Sequence, residues 1–170
     1  MLYPLSYGGQ RPPKRSRPVG HEGISAAAWT NLPGVTETPR VLVVDDDPVI
    51  RRLIKVNLEL EGFDVAEAVD GQAALDSIAD EPPAVVVLDV AMPRLDGLAT
   101  TLALRADPAT SDIKIVIVSA RAQQADVRRG IEAGADAYLT KPFEPEALIR
   151  CVRELADKAD NAGVDRARLR

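Results

Sequence analysis

Short apolar, β-branched runs alternate with helical stretches five times along the central part of this chain. Strands that are buried on both faces of a sheet have such near-continuous apolar sequences, and they are typical of parallel sheets. Neighbouring parallel strands need a crossover connection, which is usually a helix packed on one face of the sheet. The alternation therefore predicts a doubly wound α/β fold, in which a five-stranded parallel sheet carries helices on both faces.

The predicted strands differ in strength. The first and third are strongly apolar and end in aspartate, whereas the second is weak. The first predicted helix runs from Pro48 to a stop at Gly62 and carries two adjacent apolar rows, one at residues 49, 53, 56 and 60 and one at residues 50, 54 and 58. The other predicted helices span 71–78, 98–105, 122–133 and 144 to about 158, and the predicted strands span 40–44, 63–68, 84–88, 113–118 and 137–140.

Residues 1–39 have a different composition from the rest of the chain. They are rich in proline and glycine and lack apolar periodicity, which predicts a disordered basic tail. The basic stretch 11–18 could instead be an arm that binds nucleic acid or anionic lipid, but it has no interleaved aromatic residues, so a solvated linker is preferred. A start-site artefact covering residues 1–34 is a third alternative, because Val35 can be encoded by an alternative start codon.

The folded part is predicted to span residues 40–157 and to be followed by a short flexible tail, residues 158–170.

The charge and composition of the folded part restrict its function. Residues 41–156 hold 12 basic and 21 acidic residues, which disfavours binding to a phosphate backbone and favours binding of a cation. No apolar run approaches the roughly 18 residues of a membrane span. The single cysteine, Cys151, lies on an apolar helical stripe and is expected to be a small buried hydrophobe. One cysteine suits a reducing cytoplasm.

Four of the five predicted strands end in a side chain that can take part in chemistry. These are Asp45 and Asp46 after the first strand, Asp89 after the third, Ser119 after the fourth and Lys141 after the fifth. In an open parallel sheet, ligands bind at the carboxyl ends of the strands, where the strand order switches. Three carboxylates that converge there repel one another and need a hard divalent cation such as Mg²⁺.

The same groups suit a phosphoryl group. A carboxylate can attack phosphorus and hold it as an acyl phosphate. A metal ion and Lys141 would neutralise the charge on the phosphoryl oxygens, and the Ser119 hydroxyl would donate to one of them. Because no glycine-rich loop follows either strongly apolar strand, no nucleotide cradle is expected, and the phosphoryl group must come from another molecule. The only histidine, His21, lies in the predicted tail, so imidazole-based hydrolase sites are excluded.

Four motifs, in this order, resemble those of bacterial response-regulator receiver domains. Residues 41–48 (VLVVDDDP) are similar to their first strand and acidic pocket, and residues 86–97 (VVLDVAMPRLDG) to their phosphoacceptor loop. Residues 115–120 (IVIVSA) resemble the strand that bears a hydroxyl, and residues 138–143 (YLTKPF) resemble the Lys-Pro-Phe end. The resemblance covers about residues 40–157 and implies a flavodoxin-like fold with strand order 2-1-3-4-5.

The resemblance also implies roles for individual residues in the chemistry. Asp89 would be the phosphoacceptor, and Lys141 would pair with the phosphoryl group. Mg²⁺ would be held by Asp45, Asp46 and Asp89, with the backbone carbonyl of Ala91 as a further ligand.

For signalling, the resemblance implies a switch formed by Ser119 and Tyr138. Ser119 would hydrogen-bond the phosphoryl group, and Tyr138 would turn inward on activation. Pro142 would follow a cis peptide bond, as in the family.

The implied function is a phosphorylation-dependent switch that catalyses only its own phosphorylation and dephosphorylation. The phosphoryl donor would be a sensor histidine kinase or a histidine-phosphotransfer protein. Residues 158–170 are too few for a DNA-binding or enzymatic output domain, so the sequence predicts a stand-alone, chemotaxis-regulator-like receiver without direct nucleic-acid binding. Its last helix-strand-helix face would bind a separate protein target, or a second copy in a phosphorylation-dependent homodimer. A shuttle that passes phosphate to a phosphotransfer protein is the alternative role.

An enzyme of another class is the rival interpretation, because the first motif also fits the start of haloacid-dehalogenase-type phosphatases. There Asp45 would be the nucleophile and Asp47 the general acid. That family needs a further acidic pair after the lysine-bearing segment, for which Glu144 and Glu146 are the nearest residues. The phosphatase interpretation also leaves Asp89 unexplained, so the receiver interpretation is preferred.

Overall fold

The computed structural model describes the backbone of residues 38–168 and the side chains of residues 38–160, so the predicted N-terminal tail lies outside the described residues. In the described part, strands and helices alternate strictly. The elements are β1 (Arg40–Val44), α1 (Pro48–Leu60), β2 (Asp64–Ala68), α2 (Gly71–Asp80), β3 (Val85–Asp89), α3 (Gly97–Ala106), β4 (Lys114–Ser119), α4 (Gln124–Glu132), β5 (Ala137–Thr140) and α5 (Pro145–Arg168).

The five strands form one parallel sheet in the order β2-β1-β3-β4-β5, which confirms the predicted topology. After β1 the chain crosses to β2 at one edge, and it then returns past β1 to β3. The switch in strand order therefore lies between β1 and β3. Loops that leave the carboxyl ends of these two strands diverge, and the crevice between them is the place where such sheets bind ligands.

Alternate residues of each central strand pack into two separate cores. On β1, Val41 and Val43 pack together with α1 and α5, whereas Leu42 and Val44 pack together with α2 and α3. All four side chains are at most 1% exposed. Because both faces of the sheet are covered by helices, the central strands have no solvent-facing side and are apolar throughout.

In α1, only one of the two apolar rows reaches the core. Ile54 and Leu58 are buried against the sheet, and Ile50 packs beside them. The other row stays on the surface: its members are Val49, Leu53, Val56 and Leu60, which are 38–80% exposed.

Helix α5 is longer than the sequence predicts. It runs to Arg168, ten residues beyond the predicted end near Lys158, so the predicted end of this helix is wrong, while the flexibility of residues 158–170 stays a prediction. Residues 159–168 contain no proline and include three alanines and two arginines, which are good helix formers, whereas Gly163 is the least favourable residue for a helix there. Among residues 38–168, no helix combines the length and the apolar composition that crossing a membrane requires.

Cys151 of α5 is half-buried against the core, and burial raises the pKa of its thiol.

At the amino end of the sheet, one arginine holds two connecting segments together. The Arg105 guanidinium, at the end of α3, donates to the backbone carbonyls of Ser111, Ile113 and Gly134 at 2.8–3.0 Å. It also donates to the Asp136 carboxylate at 3.0 Å. The loops before β4 and before β5 are therefore fixed by a single side chain at the end opposite to the crevice.

Replacing this arginine should destabilise the domain without touching the crevice. We expect Arg105→Met to lower the free energy of unfolding by about 2 kcal/mol, because a charged donor with four acceptors is lost. Urea denaturation followed by circular dichroism measures this. The exposed Arg128 of α4 provides the control, since Arg128→Met should change the free energy of unfolding by less than about 0.5 kcal/mol. Equal losses in the two variants would contradict the assignment.

Candidate functional site

The carboxyl ends of β1, β3 and β5 bring three charged side chains into contact at the crevice. Lys141 Nζ lies 2.8 Å from Asp45 Oδ2 and 3.1 Å from Asp89 Oδ1. Asp45 is 2% exposed and Asp89 6% exposed. Asp46 is exposed, yet one carboxylate oxygen from each of the three aspartates lies within 4.8 Å of the others. The Lys141–Pro142 peptide is cis, as predicted.

Backbone N–H groups orient the two buried carboxylates. The N–H of Asp47 donates to Asp45 Oδ1 at 2.9 Å, and the N–H of Ala91 donates to Asp89 Oδ2 at 3.0 Å. In each carboxylate, one oxygen is therefore held by the loop that follows its strand, and the other is held by Lys141. Both side chains have a fixed orientation before any ligand binds.

Burial and neighbouring charges shift the pKa values of Asp89 and Lys141. Burial raises the pKa of Asp89, and the nearby charge of Asp45 raises it further, against the opposing effects of Lys141 and the Ala91 N–H. Burial disfavours the charged form of Lys141, but its hydrogen bond to Asp45 and the charges of Asp89 and Asp45 outweigh this, so its pKa is raised. The Lys141 ammonium group thus stays charged, whereas the ionised form of Asp89 costs free energy in the folded protein.

The donor set fits a hard divalent cation. Lys141 supplies one positive charge against three carboxylates, so an excess of negative charge remains between β1 and β3. Oxygen ligands of this kind are those that Mg²⁺ prefers. Asp45, Asp46 and Asp89 are the side chains that could hold the ion. Ala91 lies in the loop directly after Asp89, and its carbonyl as a further ligand stays a prediction.

The two predicted switch residues, Ser119 and Tyr138, both form hydrogen bonds with the backbone of Arg121. Ser119 is fully buried at the end of β4, and its Oγ accepts the N–H of Arg121 at 3.1 Å. Tyr138 is half-buried on β5, and its hydroxyl donates to the carbonyl of the same Arg121 at 2.8 Å. The tyrosine ring lies on Gly130 of α4, where an added Cβ would come within 2.7 Å of the ring. Ser119 and Tyr138 are therefore linked through the peptide groups of Arg121.

The residues required by the phosphatase interpretation do not come together in the same way. Asp47 caps α1, because its carboxylate accepts the N–H groups of Val49 and Ile50. Glu144 and Glu146 are exposed. Among the described residues, the acidic group with metal-binding spacing consists of Asp45, Asp46 and Asp89 and includes neither glutamate.

Sequence reasoning missed one buried charge that contacts the loop after Asp89. Asp70 is 0% exposed at the N-terminus of α2, where one carboxylate oxygen accepts the N–H of Ala73 at 2.9 Å. Its other oxygen pairs with the guanidinium of Arg94, in the loop after Asp89. A capping aspartate before a helix is visible in the sequence, but no sequence signal indicates its burial or its partner.

Comparison with known proteins agrees with this geometry. Residues 41–153 match the profile of the family described as response regulator receiver domain. The transcriptional regulatory protein PrrA of Mycobacterium tuberculosis is 47% identical over 122 residues, and the DNA-binding dual master transcriptional regulator RpaA of Synechocystis is 40% identical over 122 residues. In both cases the match covers 72% of this chain and 51% of the relative, so the chain spans about half the length of these relatives.

Solved structures also match this chain over almost their full length, as two examples show. The receiver domain of the Francisella response regulator 1452 is 37% identical with a TM-score of 0.68, and the match covers 71% of this chain and 98% of that chain. The chemotaxis protein CheY4 of Vibrio cholerae is 28% identical with a TM-score of 0.67, with 70% and 99% covered.

The free-energy cost of ionised Asp89 should be measurable as a difference in thermal stability between the wild type and a neutral variant. Without metal at pH 7, we expect Asp89→Asn to raise the melting temperature by a few degrees, about 1 kcal/mol, because asparagine carries no charge to bury beside Asp45. The pKa of Asp89 is raised in the folded protein, so the wild type bears the full cost above that pKa and a decreasing part of it at lower pH. The advantage of the variant should therefore shrink as the pH falls through the raised pKa towards 3.8, the ordinary value.

Magnesium should make the wild type more stable than Asp89→Asn, since a ligand that binds only the folded state stabilises that state. Thermal unfolding by circular dichroism in EDTA and in Mg²⁺ measures both effects. If Asp89→Asn were less stable than the wild type in EDTA, the electrostatic account of the site would be wrong.

Proposed function

Because the chain belongs to the response regulator receiver domain family of two-component systems, we propose that it is a phosphorylation-dependent switch with Asp89 as the phosphoacceptor. The observation that carries the proposal is the buried Asp89 carboxylate, which is held by Lys141 beside Asp45 and Asp46 at the switch point of the sheet.

In the proposed reaction, a carboxylate oxygen of Asp89 attacks phosphorus. The bond between phosphorus and its leaving group breaks, and an acyl phosphate forms on Asp89. Lys141 already contacts this carboxylate, so its ammonium group is placed to pair with a phosphoryl oxygen. The Ser119 hydroxyl would donate to another. Bound Mg²⁺, held by the three aspartates, would neutralise charge on the transferring group.

We propose a protein donor, a sensor histidine kinase or a histidine-phosphotransfer protein, which must bring its phosphorylated side chain to the crevice. An open apolar cavity of about 360 Å³ lies beside the site, and Lys141 and Leu53 are among its lining residues. Leu53 also belongs to the exposed apolar row of α1, so this row shares a residue with the cavity lining. Lys141 lines this cavity and also contacts Asp89, so a protein bound there would lie next to the side chain that holds the acceptor. A reducing cytoplasm, which suits a chain with one cysteine, is the proposed compartment.

The proposed output surface is the face formed by α4, β5 and α5. A phosphoryl group that draws the Ser119 hydroxyl towards it removes the acceptor of the Arg121 N–H. The Arg121 segment and Tyr138 then rearrange together. Binding of a separate protein target, or of a second copy of the chain, would follow from this change of shape. That residues 41–156 do not bind nucleic acid directly stays a prediction, supported by their acidic composition.

The acceptor role is tested with a small phosphodonor. Incubation with acetyl phosphate should yield an acid-labile phosphoryl adduct and acetate, only when Mg²⁺ is present. We expect Asp89→Asn to abolish the adduct, and Asp46→Ala to lower the rate and shift its dependence on Mg²⁺ to higher concentration. Intact-mass spectrometry and phosphate-affinity gels measure the adduct.

An adduct that persists in Asp89→Asn would overturn the assignment of Asp89. Turnover of a generic phosphomonoester by the wild type, with Asp89→Asn as active as the wild type, would instead favour the phosphatase interpretation.

The kinase-facing surface is tested by comparing two donors. Leu53→Ala and Val49→Ala should slow phosphotransfer from the cognate kinase about tenfold, because truncation of a buried interface side chain costs more than about 1 kcal/mol. The rate with acetyl phosphate should not change, since neither residue touches Asp89. Leu102→Ala, an exposed leucine of α3 that is 56% exposed, is the matched control. Equal kinase rates in all three variants would contradict the proposed docking surface.

The coupling of Ser119 to Tyr138 predicts shifts far from the acceptor. Addition of beryllofluoride, a phosphoryl mimic, should shift the amide resonances of Ser119, of α4 and of Tyr138. Phosphorylation needs to favour the active state by only a few kcal/mol to invert a two-state equilibrium. We expect Ser119→Ala to reduce the remote shifts, and Tyr138→Phe to reduce those of the Arg121 segment. If only residues in contact with Asp89 shift, this face is not the output surface.

A further inference from the structure

The loop that follows Asp89 is held from two sides. On its inner side, Val90 and Met92 are buried in the core, and the N–H of Gly97 donates to the Val90 carbonyl at 3.1 Å. This inner part is an extension of the sheet core. The outer part, residues 93–95, reaches across to the N-terminus of α2.

Two contacts with α2 hold the outer part of the loop. The Arg94 guanidinium pairs with the fully buried carboxylate of Asp70. The N–H of Gly71 donates to the Leu95 carbonyl at 3.2 Å. An added Cβ on Gly71 would lie 2.7 Å from that carbonyl oxygen and 2.0 Å from Thr100 Oγ1, so the two segments approach as closely as glycine allows.

Arg94 makes this contact from an unfavourable backbone conformation. Its φ is 67°, and among the described residues it is the one non-glycine residue with a positive φ. A side chain in this region clashes with the backbone, whereas glycine adopts it freely. The arginine side chain is also 68% exposed, and its guanidinium meets an almost inaccessible carboxylate. A residue other than glycine keeps this conformation only when its surroundings hold it, and the contact with Asp70 is one such constraint.

Asp70 needs this partner. One oxygen of its carboxylate caps α2, and the other has no hydrogen bond among the described residues besides its ion pair with Arg94. A buried charge without a partner is costly, so the pair favours one position of the loop over others.

We propose that Asp70 and Arg94 are positioning residues for the metal and phosphoryl site. By fixing the outer part of the loop, they hold Ala91 and Asp89 in the geometry that binds Mg²⁺. The proposal rests on the proposed function, since it concerns the same site. It adds that the affinity of the site for the ion depends on a charge pair that does not touch the ion.

The sign of the effect separates this proposal from simple electrostatics. Removal of a positive charge near a cation site should strengthen cation binding. We expect Arg94→Gly to weaken it instead, with a dissociation constant for Mg²⁺ raised about tenfold, which is the scale of change when an outer-shell partner is lost. Isothermal titration of the full chain with MgCl₂ measures the dissociation constant directly. The matched control is Arg52→Ala, which removes an exposed arginine from α1 and should leave binding unchanged or slightly tighter.

A double variant separates positioning from folding stability. Asp70→Asn keeps an oxygen for the helix cap, and Arg94→Gly accepts the left-handed backbone without strain. Together they leave the net charge unchanged and no buried charge unpaired. We expect the double variant to melt within a few degrees of the wild type, while its dissociation constant for Mg²⁺ is still raised and its rate with acetyl phosphate recovers at high Mg²⁺.

The Mg²⁺ titrations have three decisive outcomes. Weaker Mg²⁺ binding in Arg94→Gly and in the double variant supports the proposal. Wild-type binding in either folded variant overturns it and leaves the proposed function intact. Failure of the wild type to bind Mg²⁺ overturns both. Arg94→Lys keeps the charge, so Mg²⁺ binding by this variant should lie between that of the wild type and that of Arg94→Gly.

Discussion

The site depends on one buried contact between opposite charges. Lys141 touches both Asp45 and Asp89, so two carboxylates from different strands share one ammonium group. Without this cation, burial and mutual repulsion would push the two carboxylates apart or towards protonation. With it, they stay close but are incompletely neutralised. This remaining negative charge suits a divalent cation and, in the proposed function, a phosphoryl group bound with it.

The fold supplies the rigidity that this charge balance needs. The central strands are covered on both faces, so the positions of their ends are set by two cores. The order β2-β1-β3-β4-β5 puts the ends of β1 and β3 side by side, and Lys141 follows β5 at the far edge. A long lysine side chain spans the distance to both carboxylates. Closely packed cores do not deform continuously, which suits a site that must hold charges at fixed distances.

The loops around the site connect it to the rest of the molecule in two directions. The Arg121 backbone joins Ser119 to Tyr138 and so leads from the crevice to the face of α4, β5 and α5. The Asp70–Arg94 pair joins the loop after Asp89 to α2. The first connection suits the proposed change of shape on phosphorylation, because it consists of hydrogen bonds to a polypeptide loop. The second suits a fixed geometry, because it includes a buried charge.

The sequence by itself determined the sheet, its topology through the four motifs, and the aspartates, serine and lysine at the strand ends. Buried parallel strands leave a strong apolar signature, and the polar residues that follow them must lie at one edge of the sheet. The tertiary structure decided which apolar row of α1 faces the core, since both rows have helical spacing. It also extended α5 and paired Asp70 with Arg94, residues far apart in the chain. Such contacts depend on how separate loops meet in space, and local sequence patterns carry no record of that.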